Sequence, residues 1–333
     1  FINGISVQQY AQWRDSPDMP LFNRALQGQY PPGSTVKPAI ALGGLQMGLI
    51  TPETAIPDPG WYQLPGGDRR YRDWVLRLRG TGHAETVQLH MAIAESCDVY
   101  FYDLARVMTV DRMHDFLSHF YLGKKTSLDT TGERSGVLPS TQWKRANRGA
   151  PWFPGETLSV GIGQGYMLAT PLQLAFMTAV IAGRGQAYLP ALVADIDGEA
   201  KVSSPIDFPA IAPEHWAAVI AGMEAVVHED SGTARAMSRG LTYRVASKTG
   251  TAQVIGIGQD EEYDETTIAE RHRNHGLFVA FAPVESPSIA IAVIVENGGG
   301  SSSAVPVARS VLDTWFSDPA NRVPSTQEVA ERG

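Results

Sequence analysis

Tyr30-Pro31-Pro32-Gly33-Ser34-Thr35-Val36-Lys37-Pro38 is the stretch around which the chain is organised. Pro31, Pro32 and Gly33 interrupt regular structure, and the mostly apolar run from Val36 to Leu49 reads as a buried helix ending near Gly48. Ser34 therefore falls at a helix N-terminus, where free backbone N–H groups and the helix dipole favour developing negative charge. Residues three apart share a helix face, so Lys37 can reach the Ser34 hydroxyl. Pro38 has no N–H to donate to the Ser34 carbonyl, so a distorted first turn is expected. A serine beside an unprotonated amine is an activated nucleophile. Alone, the four-residue spacing also fits a capping serine and a surface lysine.

Two later stretches extend the pattern. Ser96-Cys97-Asp98 precedes an aromatic run, and Lys248-Thr249-Gly250 lies inside Ser247–Ala252. Ser-x-x-Lys, Ser-Asp-Asn-like and Lys-Thr-Gly motifs in that order are the set shared by penicillin-binding proteins and class A β-lactamases. The chain resembles the transpeptidase domain of a class B penicillin-binding protein. More narrowly, it resembles the penicillin-binding protein 2 subfamily of the Gram-negative elongation machinery. Tyr30–Pro38, Asp58–Trp61, Tyr71–Trp74, Glu133–Gly136, Gly161–Tyr166 and Glu296–Gly299 carry the closer match. The resemblance implies an α/β (α+β) penicillin-recognising serine transpeptidase fold, with an antiparallel sheet flanked by helices and a helical subdomain beside it.

Composition is consistent with this. A chain of 333 residues, 43% hydrophobic and 19% charged, suits one large mixed domain. Its formal net charge of -8 argues against nucleic acid and anionic lipid as main ligands. The single cysteine excludes an internal disulfide. No apolar run reaches the roughly 18 residues of a membrane helix. The chain begins at Phe1 and is read as a fragment, one transpeptidase domain over residues 1–333. The resemblance implies a preceding membrane anchor and pedestal, and so the periplasmic domain of an inner-membrane protein.

Along the chain, Phe1–Tyr10 reads as an edge strand and short helix. Thr51–Gly82 is a long irregular loop, a kind that is usually functional or needs an anchor. Glu85–Arg106 reads as helix interrupted at Ser96, whose side chain must face a cleft. Helices are expected at Val110–Phe120, Thr170–Ala182, Pro213–His228 and Pro306–Phe316. Tyr243–Ile255, Leu277–Ala282 and Ile289–Val295 read as strands, the last two as a hairpin. Tyr263–Arg273 is a charged insertion, expected to be a solvated and mobile loop.

The resemblance implies that Ser34 attacks a terminal D-Ala-D-Ala carbonyl, or a β-lactam, to form an acyl-enzyme. Lys37 takes the serine proton, which requires a neutral amine. Nearby positive charge from Lys248 favours that state. Ser96 relays a proton to the leaving amine. Lys248 and Thr249 hold the substrate carboxylate, and the N–H groups of Ser34 and Thr251 form the oxyanion hole. Gly250 lets the strand approach the substrate. Asp98 stands where Asn is commoner and, when ionised, cannot donate to a substrate amide. It could pair with Lys37, face the substrate or cap a helix. No cofactor is needed for the chemistry. Hydrolysis, as a carboxypeptidase or β-lactamase, and non-catalytic β-lactam sensing are the alternatives. The implied partners are peptide stems with a meso-diaminopimelate acceptor and a RodA-type glycan polymerase.

One further expectation concerns metal. Cys97 should point away from the cleft if Ser96 faces it. Asp58 and Asp73 lie in the long loop, with His83 just beyond. Thiolate, imidazole and two carboxylates make a four-coordinate zinc set. Such a structural ion would tie the loop to the second motif. The alternative is a buried apolar Cys97, a capping Asp73 and a solvated His83.

Overall fold

The computed structural model describes residues 4–127, 129–201, 205–255, 264 and 266–321. Three antiparallel strands form its largest sheet: Ala246–Ala252, His275–Ala282 and Ile289–Val295, in that order. The register places Lys248 opposite Val279 and Thr251 opposite Gly276, leaving the Lys-Thr-Gly strand at an edge. The central strand alternates between two buried faces. Leu277, Val279 and Phe281 join the main core, whereas Phe278, Ala280 and Ala282 join a second core with Ala304, Ala308 and Leu312. Period-two burial on both faces makes the strand read as a continuous apolar run. Each fully buried Phe contributes roughly 1.5–3 kcal/mol.

Helices Pro171–Ala182 and Pro213–His228 pack on the sheet, and Ala304–Ser317 covers its other face. Pro starts the first two, and the Thr170 hydroxyl accepts from Gln173 N to close a capping box. The last helix begins at Ala304, two residues before Pro306, because a short 3-10 turn at Ser301–Ser303 leads into it.

The helical part holds the first two motifs. A 3-10 turn, Gly33–Val36, carries Ser34 and runs into the helix Lys37–Gln46. The expected distortion is therefore real: Lys37 N–H takes the Ser34 carbonyl, which Pro38 cannot. Gly43 and Gly44 let this helix lie close to Asp98–Met108. A Cβ on Gly43 would stand 2.7 Å from Met108, and one on Gly44 2.8 Å from Leu104. Upstream, the Tyr30 hydroxyl donates to Glu296 at 2.7 Å, so two stretches of the resemblance meet across the fold.

The departures are local. Thr51–Gly82 is not irregular throughout. It contains a short ribbon, Trp61–Gln63 with Arg70–Arg72, and a helical turn, Leu76–Arg79. Two helices, Thr141–Arg148 and Pro154–Gly161, fall where no element was expected. Val7–Arg14 is a helix capped by Ser6, and Phe1–Asn3 lie outside the described residues. In the charged insertion, Asp264 and Thr266–Arg273 are mostly exposed, with a 3-10 turn at Glu270–His272. Tyr263 and Glu265 lie outside the described residues, so the expected mobility stands as an expectation. No helix among the described residues is long and apolar enough to cross a membrane.

Candidate active site

Lys37 is fully buried and makes its bonds to the second motif. Its Nζ donates to the Ser96 carbonyl at 2.7 Å, lies 3.4 Å from Ser96 Oγ and pairs with Asp98 Oδ1 at 2.6 Å. Asp98 thus faces Lys37, which decides among its three readings. Cys97, not Asp98, is the N-cap of the following helix, its sulfur accepting from Tyr100 N. Lys37 and Asp98 thus form a buried, hydrogen-bonded pair inside the second motif.

Ser96 sits between helices Leu89–Ala94 and Asp98–Met108, at the expected interruption. Its φ is 63°, a left-handed conformation costing a non-glycine residue roughly 1–2 kcal/mol. The loop before it holds that turn. Asp73 Oδ2 accepts from Asp98 N at 2.6 Å and Val99 N at 3.2 Å, and Trp74 Nε1 donates to the Ser96 carbonyl at 3.3 Å.

The third motif closes on the nucleophile turn. A Cβ on Gly250 would stand 2.7 Å from Thr35 Cγ2, and one on Gly33 2.6 Å from the Thr251 oxygen. Gly250 therefore lets the strand lie against the Ser34 turn. Thr249 Oγ1 shares a 2.7 Å hydrogen bond with Thr233 Oγ1, a residue with no signal in the sequence reading. Lys248 is fully buried, with its Nζ 3.3 Å from the Thr249 carbonyl. Burial, then the charge of Lys37, holds Lys248 well below the ordinary lysine range. The influence expected of Lys248 on Lys37 thus also runs in reverse. The carboxylate contact expected of Lys248 needs its protonated form, so carboxylate binding should weaken as pH rises through that lowered value. Non-covalent benzylpenicillin binding to the Ser34→Ala chain, followed against pH, checks this. Affinity unchanged up to the ordinary lysine range would contradict it.

Asp58, Asp73, His83 and Cys97 meet behind Ser96, with one donor atom from each lying within 4.8 Å of the others. His83 Nδ1 lies 2.9 Å from Asp58 Oδ2 and 3.8 Å from Asp73 Oδ2, and Cys97 Sγ lies 3.5 Å from Asp58 Oδ2. His83 is not solvated: its side chain is buried, and Nε2 has no hydrogen-bond partner. Without a cation, burial and then the charges of Asp73 and Asp58 push the Cys97 thiol well above its usual range. Burial and then Asp98 raise the Asp73 carboxyl to about 6. A divalent cation reverses both effects. Two carboxylates, a thiol and an imidazole at this spacing fit a tetrahedral zinc.

Together, a serine on a helix-starting turn, a buried lysine three residues on, and a second lysine and threonine on a sheet edge are the groups that acyl transfer through a serine ester uses. The family profile for the penicillin binding protein transpeptidase domain matches residues 4–313. The chain belongs to the penicillin-binding protein transpeptidase family. It is 44% identical to the peptidoglycan D,D-transpeptidase MrdA of Acinetobacter baumannii over 95% of this chain and 47% of that protein. The structure of Pseudomonas aeruginosa PBP2 in complex with WCK 5153 superposes with a TM-score of 0.85 at 47% identity. That match covers 97% of this chain and 66% of the other. Helicobacter pylori PBP2, solved in complex with MreC, gives a TM-score of 0.82 at 33% identity, covering 95% and 55%. The fold is the penicillin-recognising serine transpeptidase fold. The chain spans about half the length of the curated relatives it matches.

Proposed function

We propose that this chain is the catalytic unit of a peptidoglycan D,D-transpeptidase, acylated at Ser34 by peptide stems ending in D-Ala-D-Ala and by β-lactams. The observation that carries the reading is the buried Lys37, bonded to Ser96 and Asp98 and placed one turn from Ser34. Ser34 Oγ attacks the carbonyl carbon, and its proton passes to the amine of the Lys37–Asp98 pair. Ser96 Oγ, beside Lys37 Nζ, relays a proton to the leaving D-Ala nitrogen as the peptide bond breaks. Lys248 and the Thr249 hydroxyl hold the terminal carboxylate. The N–H groups of Ser34 and Thr251 stabilise the developing oxyanion. The amine of a second stem, with meso-diaminopimelate as its source, then displaces Ser34 from the ester.

The same reading places the chain on the periplasmic side of an inner membrane, working with a RodA-type glycan polymerase in cell elongation. Support comes from the resemblance to the elongation subfamily and from the Helicobacter pylori relative solved with MreC. A structural zinc at Asp58, Asp73, His83 and Cys97 belongs to the proposal. It supplies positive charge that holds the loop against the second motif, and no chemical step passes through it.

Intact mass after benzylpenicillin tests the acyl-enzyme. A one-to-one adduct lasting hours is expected, and Ser34→Ala should abolish it while leaving the melting temperature unchanged. Labelling that survives on another residue would sink the assignment. Adduct loss within minutes would instead make the chain a hydrolase.

A further inference from the structure

We infer that Gln164 is a positioning residue for the oxyanion hole, holding its two peptide donors in register through one loop. This rests on the proposed assignment of the Ser34 and Thr251 N–H groups as the hole. Gln164 Nε2 donates to the Thr251 carbonyl at 2.8 Å. In an extended strand, the N–H and C=O of one residue lie on the same side. A bond to the Thr251 oxygen therefore also sets the direction of Thr251 N–H. The preceding residue in the loop secures the turn that carries the other donor. Gly163 O accepts from Gly33 N at 2.8 Å, which ties down the Pro32–Gly33 peptide, next to the Gly33–Ser34 peptide that carries the Ser34 N–H. The two donors come from distant parts of the chain, and consecutive loop residues fasten them to each other.

The loop is built for this close approach. Gly163 and Gly165 flank Gln164 at φ of 69° and 71°, and a Cβ on Gly163 would lie 2.1 Å from the Gly33 oxygen. Its base is rigid. Gln164 N donates to Ser159 O at 2.8 Å, and Gly161 lies so close to the second-motif helix that a Cβ would meet Ala105 at 2.4 Å. Just past Gly165, the Tyr166 ring rests on Trp143 and lies 5.6 Å from Lys144 Nζ. Gln164 itself is partly exposed, so its replacement leaves the core untouched.

The test uses Gln164→Met, which keeps length and loses the donor. Acylation is measured with a cephalosporin and with the same compound carrying sulfur in place of the β-lactam carbonyl oxygen. Sulfur accepts hydrogen bonds poorly, so the oxygen-to-sulfur rate ratio reports on the hole. Loss of one such donor costs about 10²–10³-fold. A misaligned donor should cost about tenfold in the oxygen rate, with the sulfur rate and melting temperature nearly unchanged, so the ratio falls about tenfold. Gln164→Glu, also without a donor at neutral pH, should reproduce the fall. Equal losses with both compounds, or no loss with either, would overturn the positioning role. If the unaltered chain itself shows no preference for oxygen, the oxyanion-hole assignment fails first and takes this inference with it.

Discussion

Lys37→Ala is expected to slow acylation of Ser34 by benzylpenicillin by about 10²–10⁴-fold, the usual range for a lost proton-transfer group. Reversible binding should change far less, because Lys248 and Thr249 are the proposed carboxylate contacts. Lys248→Ala should show the opposite split. Stopped-flow separation of the binding and acylation constants checks both. A Lys37→Ala chain that loses only affinity would reduce Lys37 to a binding group. The substitution also leaves Asp98 buried without its partner at 2.6 Å. Breaking a buried pair costs roughly 3–5 kcal/mol, so a lower melting temperature should accompany the kinetic loss. Lys37→Ala with Asp98→Asn should recover part of the stability but none of the rate, which separates the two roles.

Removal of the proposed zinc is expected to give the second large effect. An ion present at about 100 times its dissociation constant contributes about 2.7 kcal/mol, so chelation should lower the melting temperature by about 4 °C. Cys97→Ser should remove most of the bound metal, since the thiolate is the softest of the four donors. The effect should extend to catalysis. Asp73 bonds Asp98 N and Val99 N, and so holds the turn in which Ser96 is strained at a positive φ. Acylation should therefore slow in the metal-depleted chain and return when zinc is added. Substoichiometric metal in the purified protein, with stability unmoved by chelator, would rule the ion out.

Ser34, Lys37, Ser96 and Lys248 were legible in the sequence because their signals are local. Proline and glycine place the turn, three-residue spacing sets a helix face, and alternating apolar residues mark the strands. The interruption at Ser96 was legible for a similar reason, since a cleft-facing serine inside an apolar helix needs a break. The resemblance added the order of the three motifs. Two helices were missed because each is only eight residues long, Thr141–Arg148 being polar and Pro154–Gly161 opening on Pro-Gly. Helices that short are stabilised by tertiary packing rather than by their own propensity. The partner of Asp98, the neighbour occupying the space beside Gly250, the bond from Thr233 to Thr249 and the clamp at Gln164 appear only once the chain is folded. Each joins residues at least sixteen positions apart through a contact of 2.6–2.8 Å. The sequence by itself determined which groups this protein brings to its chemistry. Tertiary structure alone decided which of them pair, hydrogen-bond or cluster, because burial and close packing set those energies and neither is a local property of the chain.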